Sequence, residues 1–118
     1  MNAHNQEITI YHNPRCSKSR QTLELIKDRN PTVIEYLKTP PTSAQLNAIL
    51  DMLGMQPRDL MRKKESAYSD NHLDRKDLSR NELIAAMLEH PILIERPIVI
   101  ASGKAAIGRP PEAVLEIL

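Results

Sequence analysis

The sequence predicts a single α/β domain in which a mixed four-stranded sheet is flanked by helices. Three observations support this fold class: a strand-helix-strand pattern at the start, an all-helical stretch in the middle and a strand-turn-strand-helix pattern at the end. A length of 118 residues is typical of one domain with its own core. We therefore expect one domain over residues 1–118, with its sheet in about 7–37 and 96–118 and a helical insert over about 38–95, between strands 2 and 3.

The first part of the chain predicts a βαβ unit. The β-branched stretch Glu7–Tyr11 indicates a strand that stops at Asn13-Pro14. Good helix formers then extend from Ser17 to about Arg29, and a second strand follows over Val33–Leu37. Strands joined by one helix lie parallel, with a right-handed crossover.

The middle of the chain carries helix-start signals. Thr42 with Gln45 and Ser79 with Glu82 each have the spacing of a capping box in front of an apolar stripe. Pro57–Met61 suits a short helix with proline in its first turn. This stretch is therefore predicted to be mostly helical, an all-helical insert between two β-containing pieces.

The end of the chain predicts a hairpin and a closing helix. Ile98–Ala101 is a short buried-type strand, residues 102–104 form a tight turn, and Ala105–Ile107 is the returning strand. Pro110-Pro111 opens the last helix. The order βαβ, helical insert, ββα is the layout of thioredoxin-like proteins.

Composition disfavours several classes of function. The chain has no Phe, no Trp and three Tyr, and its net charge is +1, so it offers little for stacking or attracting nucleic acid. The polar residues 1–6 do not form a signal peptide, and no apolar run is long enough to span a membrane. We expect a cytoplasmic monomer that binds neither nucleic acid nor membrane.

Cys16, the one cysteine of the chain, is the strongest candidate for chemistry. It lies between the first strand and the first helix, where unpaired backbone amides favour a negative charge. His12, Arg15, Lys18 and Arg20 surround it in sequence, and such surroundings lower a thiol pKa. A nucleophilic thiolate is therefore predicted, with a buried structural cysteine as the alternative.

No metal site and no internal disulfide are expected. His4, His72 and His90 lack ligand spacing with Cys16 or with acidic residues. Because the chain has a single cysteine, any oxidised form of its thiol has to be resolved by a thiol of another molecule.

Four segments of the sequence resemble one family. They are the loop Tyr11–Arg20, the Leu-Met-Arg-Lys stretch at 60–63, the His-Pro-Ile-Leu-Ile-Glu-Arg-Pro-Ile-Val block at 90–99, and Gly108–Pro110. Together they resemble the glutaredoxin-coupled arsenate reductase (ArsC) family, in particular its short, YfgD-like members. The resemblance runs in the right order from about Ile8 to the end of the chain.

The resemblance implies an activity. Members of this family reduce arsenate to arsenite through a thiolate-arsenic adduct, which here would form on Cys16. Glutathione is the implied co-substrate and glutaredoxin the implied protein partner, and no bound cofactor is implied.

The resemblance also implies roles for individual residues. Cys16 is the catalytic thiol, and His12 matches the histidine that helps to keep it ionised. Pro97 matches the cis-proline position of thioredoxin folds. The three arginines implied to bind the oxyanion are Arg62, Arg96 and Arg109. The further supporting residues of the motifs are Asn13 and Ser17.

Two departures from the best-known members leave alternatives open. The sequence has no C-terminal extension after Leu118, and it has basic residues at Arg15 and Lys18. Another oxyanion, or a glutathione-linked thiol oxidoreductase with a different substrate, fits the same features. A non-catalytic regulator of the Spx type, which binds RNA polymerase, is a further alternative, although those proteins usually carry Cys-x-x-Cys and this chain has Ser19 at the second position.

Overall fold

A computed structural model of the chain describes residues 7–118, and the polar start with His4 lies outside this range. Its sheet has the strand order β2-β1-β3-β4. β1 is parallel to β2 and antiparallel to β3, and β3 is antiparallel to β4. The mixed four-stranded α/β fold of thioredoxin-like type is thereby confirmed. The strands are β1 (Ile8–His12), β2 (Thr32–Glu35), β3 (Ile98–Ala101) and β4 (Lys104–Ile107).

The described residues form two compact units. The first comprises the residues up to Thr39 together with Arg96–Leu118, and the second comprises Pro40–Glu95. In the first unit, helix α1 (Ser17–Ile26) packs against a 3-10 helix at Pro111–Ile117. Alternate residues of β1 and β3 face the same core, which is formed by Ile8, Ile10, Ile26, Val99, Ala101 and Val114.

The second unit is built from helices. They are α2 (Ser43–Leu53), α3 (Ser66–Asp70) and α4 (Arg80–Glu89), with 3-10 helices at Pro57–Leu60 and Pro91–Leu93. α4 packs against α2 and against both 3-10 helices. Within residues 7–118, no helix is both long and apolar enough to cross a membrane.

Both predicted capping boxes are present. The backbone amide of Gln45 donates to the Thr42 hydroxyl at 3.1 Å, and the Thr42 amide donates to the Gln45 side chain at 2.9 Å. Ser79 and Glu82 exchange the same pair of hydrogen bonds at 3.1 and 2.9 Å. The sequence was sufficient to predict both helix starts, because each capping box satisfies otherwise unpaired backbone amides within one helical turn.

Some predicted boundaries were wrong. β2 ends at Glu35 instead of Leu37, because the amides of Lys38 and Thr39 both turn back to the Glu35 carbonyl. The predicted last helix is a 3-10 helix, and α3 lies within the predicted helical insert but was not predicted as a separate helix. The hairpin is confirmed, with Ser102 and Gly103 both at positive φ in the turn and Lys104 already in β4.

Strand direction determines where the candidate site lies. Cys16 follows the carboxyl end of β1, Arg96 precedes β3 and Arg109 follows β4. Tyr11 pairs with Ile98, and Ile98 pairs with Ile107. The antiparallel pairings therefore bring the end of β1, the start of β3 and the end of β4 to the same edge of the sheet.

Candidate active site

The loop after β1 folds into a turn that delivers Cys16 to the start of α1. The Cys16 amide donates to the Asn13 carbonyl at 3.0 Å, and the Arg15 amide donates to the Asn13 side-chain oxygen at 3.0 Å. The Asn13 amide in turn donates to the Ser19 hydroxyl at 3.0 Å. Cys16 occupies the N-cap position of α1, as the sequence predicts, and Asn13 organises the loop.

Cys16 is a partly exposed residue, and its sulfur receives several donors. Burial by itself raises the pKa of the thiol, but hydrogen bonds from the Ser19 and Lys18 amides and from the Arg96 side chain, with the charge of Arg96, lower it further than burial raises it. Nη2 of Arg109 lies 3.5 Å from Sγ. The net effect is a lowered pKa, which favours the nucleophilic thiolate.

The groups that activate the Cys16 thiol differ from those that the sequence predicts. The main groups that lower the pKa of Cys16 are two amides of α1 and Arg96, from 80 positions further along the chain, rather than the side chains of Arg15 and Lys18. Those two side chains are exposed.

Arg96 and Arg109 are coupled to each other. Nε of Arg109 donates to the Arg96 carbonyl at 2.8 Å, and the Gly108 amide donates to the Pro97 carbonyl at 2.9 Å. The Arg96-Pro97 peptide bond is cis, in agreement with the position that Pro97 matches. The Arg109-Pro110 bond is also cis, which the sequence analysis did not predict.

His12 is buried and bonds to Ser19. Its Nδ1 lies 2.6 Å from the Ser19 hydroxyl, which already accepts the Asn13 amide. Burial lowers the pKa of His12, Glu35 raises it and Arg20 lowers it, with a lowered pKa as the result. At neutral pH the imidazole is therefore uncharged, and it bonds to Ser19, which holds the thiol loop.

Ser19 is the functional residue that sequence reasoning missed. In the sequence it stands where Cys-x-x-Cys proteins have a second cysteine, and in the structure it is fully buried and joins His12 to the backbone of Asn13. The signal in the sequence that could have identified Ser19 is a hydroxyl one helical turn after the N-cap. The predicted supporting residue Ser17 is the exposed first residue of α1.

Arg62 belongs to the second unit, where two carboxylates hold it. Nη1 lies 2.6 Å from Glu95 and Nε lies 3.3 Å from Glu65. Burial lowers the pKa of Arg62, but both carboxylates raise it, and the result is a raised pKa. Its amide donates to the Leu93 carbonyl at 2.7 Å, beside the Met61–Ile94 bridge. Glu65 and Glu95 were not predicted from the sequence.

The structure thus assembles part of the predicted site directly. Cys16, Arg96 and Arg109 meet in the first unit. His12 and Asn13 make hydrogen bonds within the loop that carries the thiol, and Pro97 accepts a backbone hydrogen bond next to Arg96. The role of Arg62 towards the thiol stays a prediction. Among residues 7–118, no group of three or more His, Cys, Asp or Glu side chains is placed to hold a metal ion.

Comparison with known proteins gives concordant matches. The profile of the ArsC family matches residues 11–117. The Escherichia coli protein YfgD is 53% identical over 116 residues, covering 96% of this chain and 98% of that protein. An arsenate reductase of Haemophilus influenzae is 49% identical, covering 94% and 98%. The solved structure of an arsenate reductase from Vibrio cholerae superposes with a TM-score of 0.92 at 50% identity, covering 96% and 98%.

Proposed function

The chain belongs to the ArsC family, and from that membership and the surroundings of Cys16 we propose that it reduces arsenate to arsenite with glutathione and glutaredoxin as reductants. One observation carries the proposal. The thiol of Cys16, a partly exposed residue, has a lowered pKa and lies at a helix N-cap, with the guanidinium groups of Arg96 and Arg109 on it. Such a site combines a nucleophile with donors for an oxyanion.

The first step is substitution at arsenic. The Cys16 thiolate attacks arsenic(V), a sulfur-arsenic bond forms, and one arsenate oxygen leaves as water after protonation. Arsenic keeps its oxidation state in this step. Arg96 and Arg109 stabilise the negative charge on the remaining oxygens, because the planar guanidinium donates parallel hydrogen bonds to an oxyanion. Arg62 is proposed as the third arginine of this set.

The second and third steps need external thiols, because Cys16 is the only cysteine of the chain. Glutathione attacks the adduct, and a second oxygen leaves as water. The thiolate of glutaredoxin then attacks the glutathione sulfur and forms a mixed disulfide, and the electron pair of the broken arsenic-sulfur bond stays on arsenic. Arsenic is thereby reduced to arsenic(III), and hydrolysis releases arsenite and the free Cys16 thiol.

A coupled assay tests this proposal. Purified protein is mixed with arsenate, glutathione, glutaredoxin, glutathione reductase and NADPH, and loss of NADPH is followed. The wild type is expected to turn over, and Cys16→Ser is expected to lose activity entirely because the hydroxyl is not ionised at neutral pH. Ser17→Ala, an exposed neighbour in α1, tests the supporting role that the resemblance implies.

Absence of Cys16-dependent turnover would refute the proposal. Replacing arsenate with other oxyanions in the same assay would then test the alternative substrate. Capture of RNA polymerase by the purified chain would test the regulator alternative. The fully buried Ser19, which stands where a second cysteine would be, already disfavours dithiol chemistry within the chain.

A further inference from the structure

Two exposed cations beside the thiol are not used by the chemistry described so far. Arg15 immediately precedes Cys16, and Lys18 is the second residue of α1. Neither side chain is among the main groups that lower the pKa of Cys16. Among residues 7–118, no carboxylate lies within 4.0 Å of either one.

Some cations elsewhere in the described chain contact carboxylates. Lys27 pairs with Glu24 at 2.5 Å, and Lys38 pairs with Glu35 at 3.5 Å. In the second unit, Arg62 and Arg80 also contact carboxylates. The thiol loop therefore keeps a local positive charge in a chain whose net charge is only +1. Such a charge attracts anions to the place where it is exposed.

Arg15 and Lys18 suit an anion that is larger than an oxyanion. Arg96 and Arg109 already contact the sulfur, so a compact anion bound to it would lie beside their guanidinium groups. A thiol that attacks the adduct must reach the arsenic bound to that sulfur from solvent, with the rest of its molecule outside. Glutathione carries two carboxylates and one ammonium group at neutral pH, with the carboxylates several bonds away from its sulfur.

We propose that Arg15 and Lys18 form a recognition site for the carboxylates of the small thiol that reacts at Cys16. This inference rests on the proposed function and names how its second substrate is selected. The pair flanks the nucleophile in sequence, and both side chains are exposed. Anionic thiols and disulfides are therefore favoured over neutral ones of the same reactivity.

A pair of alkylating reagents tests charge recognition without arsenate. Iodoacetate is an anion and iodoacetamide is neutral, and both form the same sulfur-carbon bond with loss of iodide. Dividing the two rate constants cancels the thiolate fraction of Cys16. Arg15→Gln/Lys18→Gln is expected to lower the iodoacetate-to-iodoacetamide ratio by about three- to tenfold at about 0.1 M salt, and added salt is expected to shrink the difference.

The matched control removes two charges from the same unit. Arg29 and Lys104 are both exposed. Arg29 lies beyond the end of α1 that is farther from Cys16, and Lys104 pairs with Ala101 at the ends of β3 and β4 that lie away from the thiol. At about 0.1 M salt, Arg29→Gln/Lys104→Gln is expected to change the ratio less than about 1.5-fold, since the Debye length is then about 10 Å and exposed charges farther away are largely screened. An equal fall in both double variants, or no fall in either, would overturn the proposal.

Thiol-disulfide exchange tests recognition with the thiol itself. The Cys16 thiolate attacks oxidised glutathione, one sulfur-sulfur bond forms, another breaks, and one glutathione thiolate leaves. Bis(2-hydroxyethyl) disulfide is the neutral counterpart. Arg15→Gln/Lys18→Gln is expected to slow exchange with oxidised glutathione by about three- to tenfold while leaving the neutral disulfide nearly unaffected.

The outcomes separate this inference from the proposed function. If the charge selectivity is present but the coupled assay shows no arsenate turnover, recognition of the thiol stands and the proposed substrate is wrong. If arsenate turns over but the double variant treats charged and neutral disulfides alike, the recognition site is refuted. A normal iodoacetamide rate in the double variant shows that its site is intact.

Discussion

At the scale of single residues, the chemistry depends on one sulfur and on donors from separate parts of the chain. The Ser19 and Lys18 amides are local, whereas Arg96 and Arg109 arrive through the sheet. A thiolate that receives several donors is stabilised against protonation. Arg96 contributes both a hydrogen bond and a full charge, so it is the side chain on which the Cys16 pKa depends most.

Replacing Arg96 should make this dependence visible. Arg96→Gln is expected to raise the pKa of Cys16 towards the ~8.5 of a free cysteine, because a neutral amide stabilises the thiolate less than a guanidinium does. The rate of iodoacetamide alkylation against pH measures the pKa directly. Arg29→Gln removes a distant exposed charge and is the control. An unchanged midpoint in Arg96→Gln would contradict the assignment.

The buried His12 predicts a pH dependence of stability. Its pKa in the folded chain is lowered, so the unfolded chain binds more protons below the ordinary histidine pKa of ~6.5. Stability contributed by His12 is therefore present above pH ~6.5 and is lost as pH falls through the folded-state pKa. In thermal melts between pH 7.5 and 5, we expect His12→Gln to lose less stability on acidification than the wild type.

A second histidine supplies the control for this experiment. His72 is exposed and has φ of +53°, a conformation that asparagine tolerates. His72→Asn is expected to keep the acid sensitivity of the wild type. Equal acid sensitivity in His12→Gln and the wild type would show that His12 is not the responsible group.

At the scale of elements, local and tertiary causes can be separated. The two capping boxes lie within four residues each, and they were predictable because all partners are close in sequence. The five-residue helix α3 has no such signal, and its N-cap residue makes no side-chain capping bond. Tyr68 of α3 is buried and accepts a hydrogen bond from Arg58 at 2.8 Å.

Arg58 is therefore expected to stabilise α3 and the turn after it. The same guanidinium donates to the Leu73 carbonyl at 2.5 Å and to the Arg75 carbonyl. Arg58→Met keeps the apolar stem but leaves these oxygens without their donor, at an expected cost of about 2–3 kcal/mol. Tyr68→Phe removes a single partner and should cost about 1 kcal/mol. Urea denaturation measures both, and equal costs would contradict this network.

At the scale of the whole molecule, the chain leaves the sheet-containing unit at Thr39 and returns to it at Arg96. The return point is itself a site residue, and Glu95, just before it, holds Arg62 in the second unit. Arg62 is therefore oriented by carboxylates, whereas Arg96 acts on the sulfur. The two arginines should thus affect the proposed reaction in different ways.

Kinetics of the two arginine variants test this division. Arg62→Gln is expected to lower kcat/KM for arsenate about a hundredfold, because one fixed donor to the oxyanion is lost. Its iodoacetamide pH profile should match that of the wild type, since Arg62 is not among the groups that lower the pKa of Cys16. Lys63→Gln, an exposed neighbour, is the control. A shifted profile in Arg62→Gln would contradict this division of roles.

The sequence by itself determined the fold class, the N-cap position of Cys16 and the family, because strand and helix periodicity, capping boxes and the motifs are all short-range patterns. Only the tertiary structure decided that the side chain of Arg96, and not the side chains of the neighbouring Arg15 and Lys18, lowers the Cys16 pKa, and that His12 bonds to Ser19. The physical reason is distance. A pKa depends on which charges and donors lie within a few ångströms of the atom, and strand pairing places residues there that lie far apart in the chain.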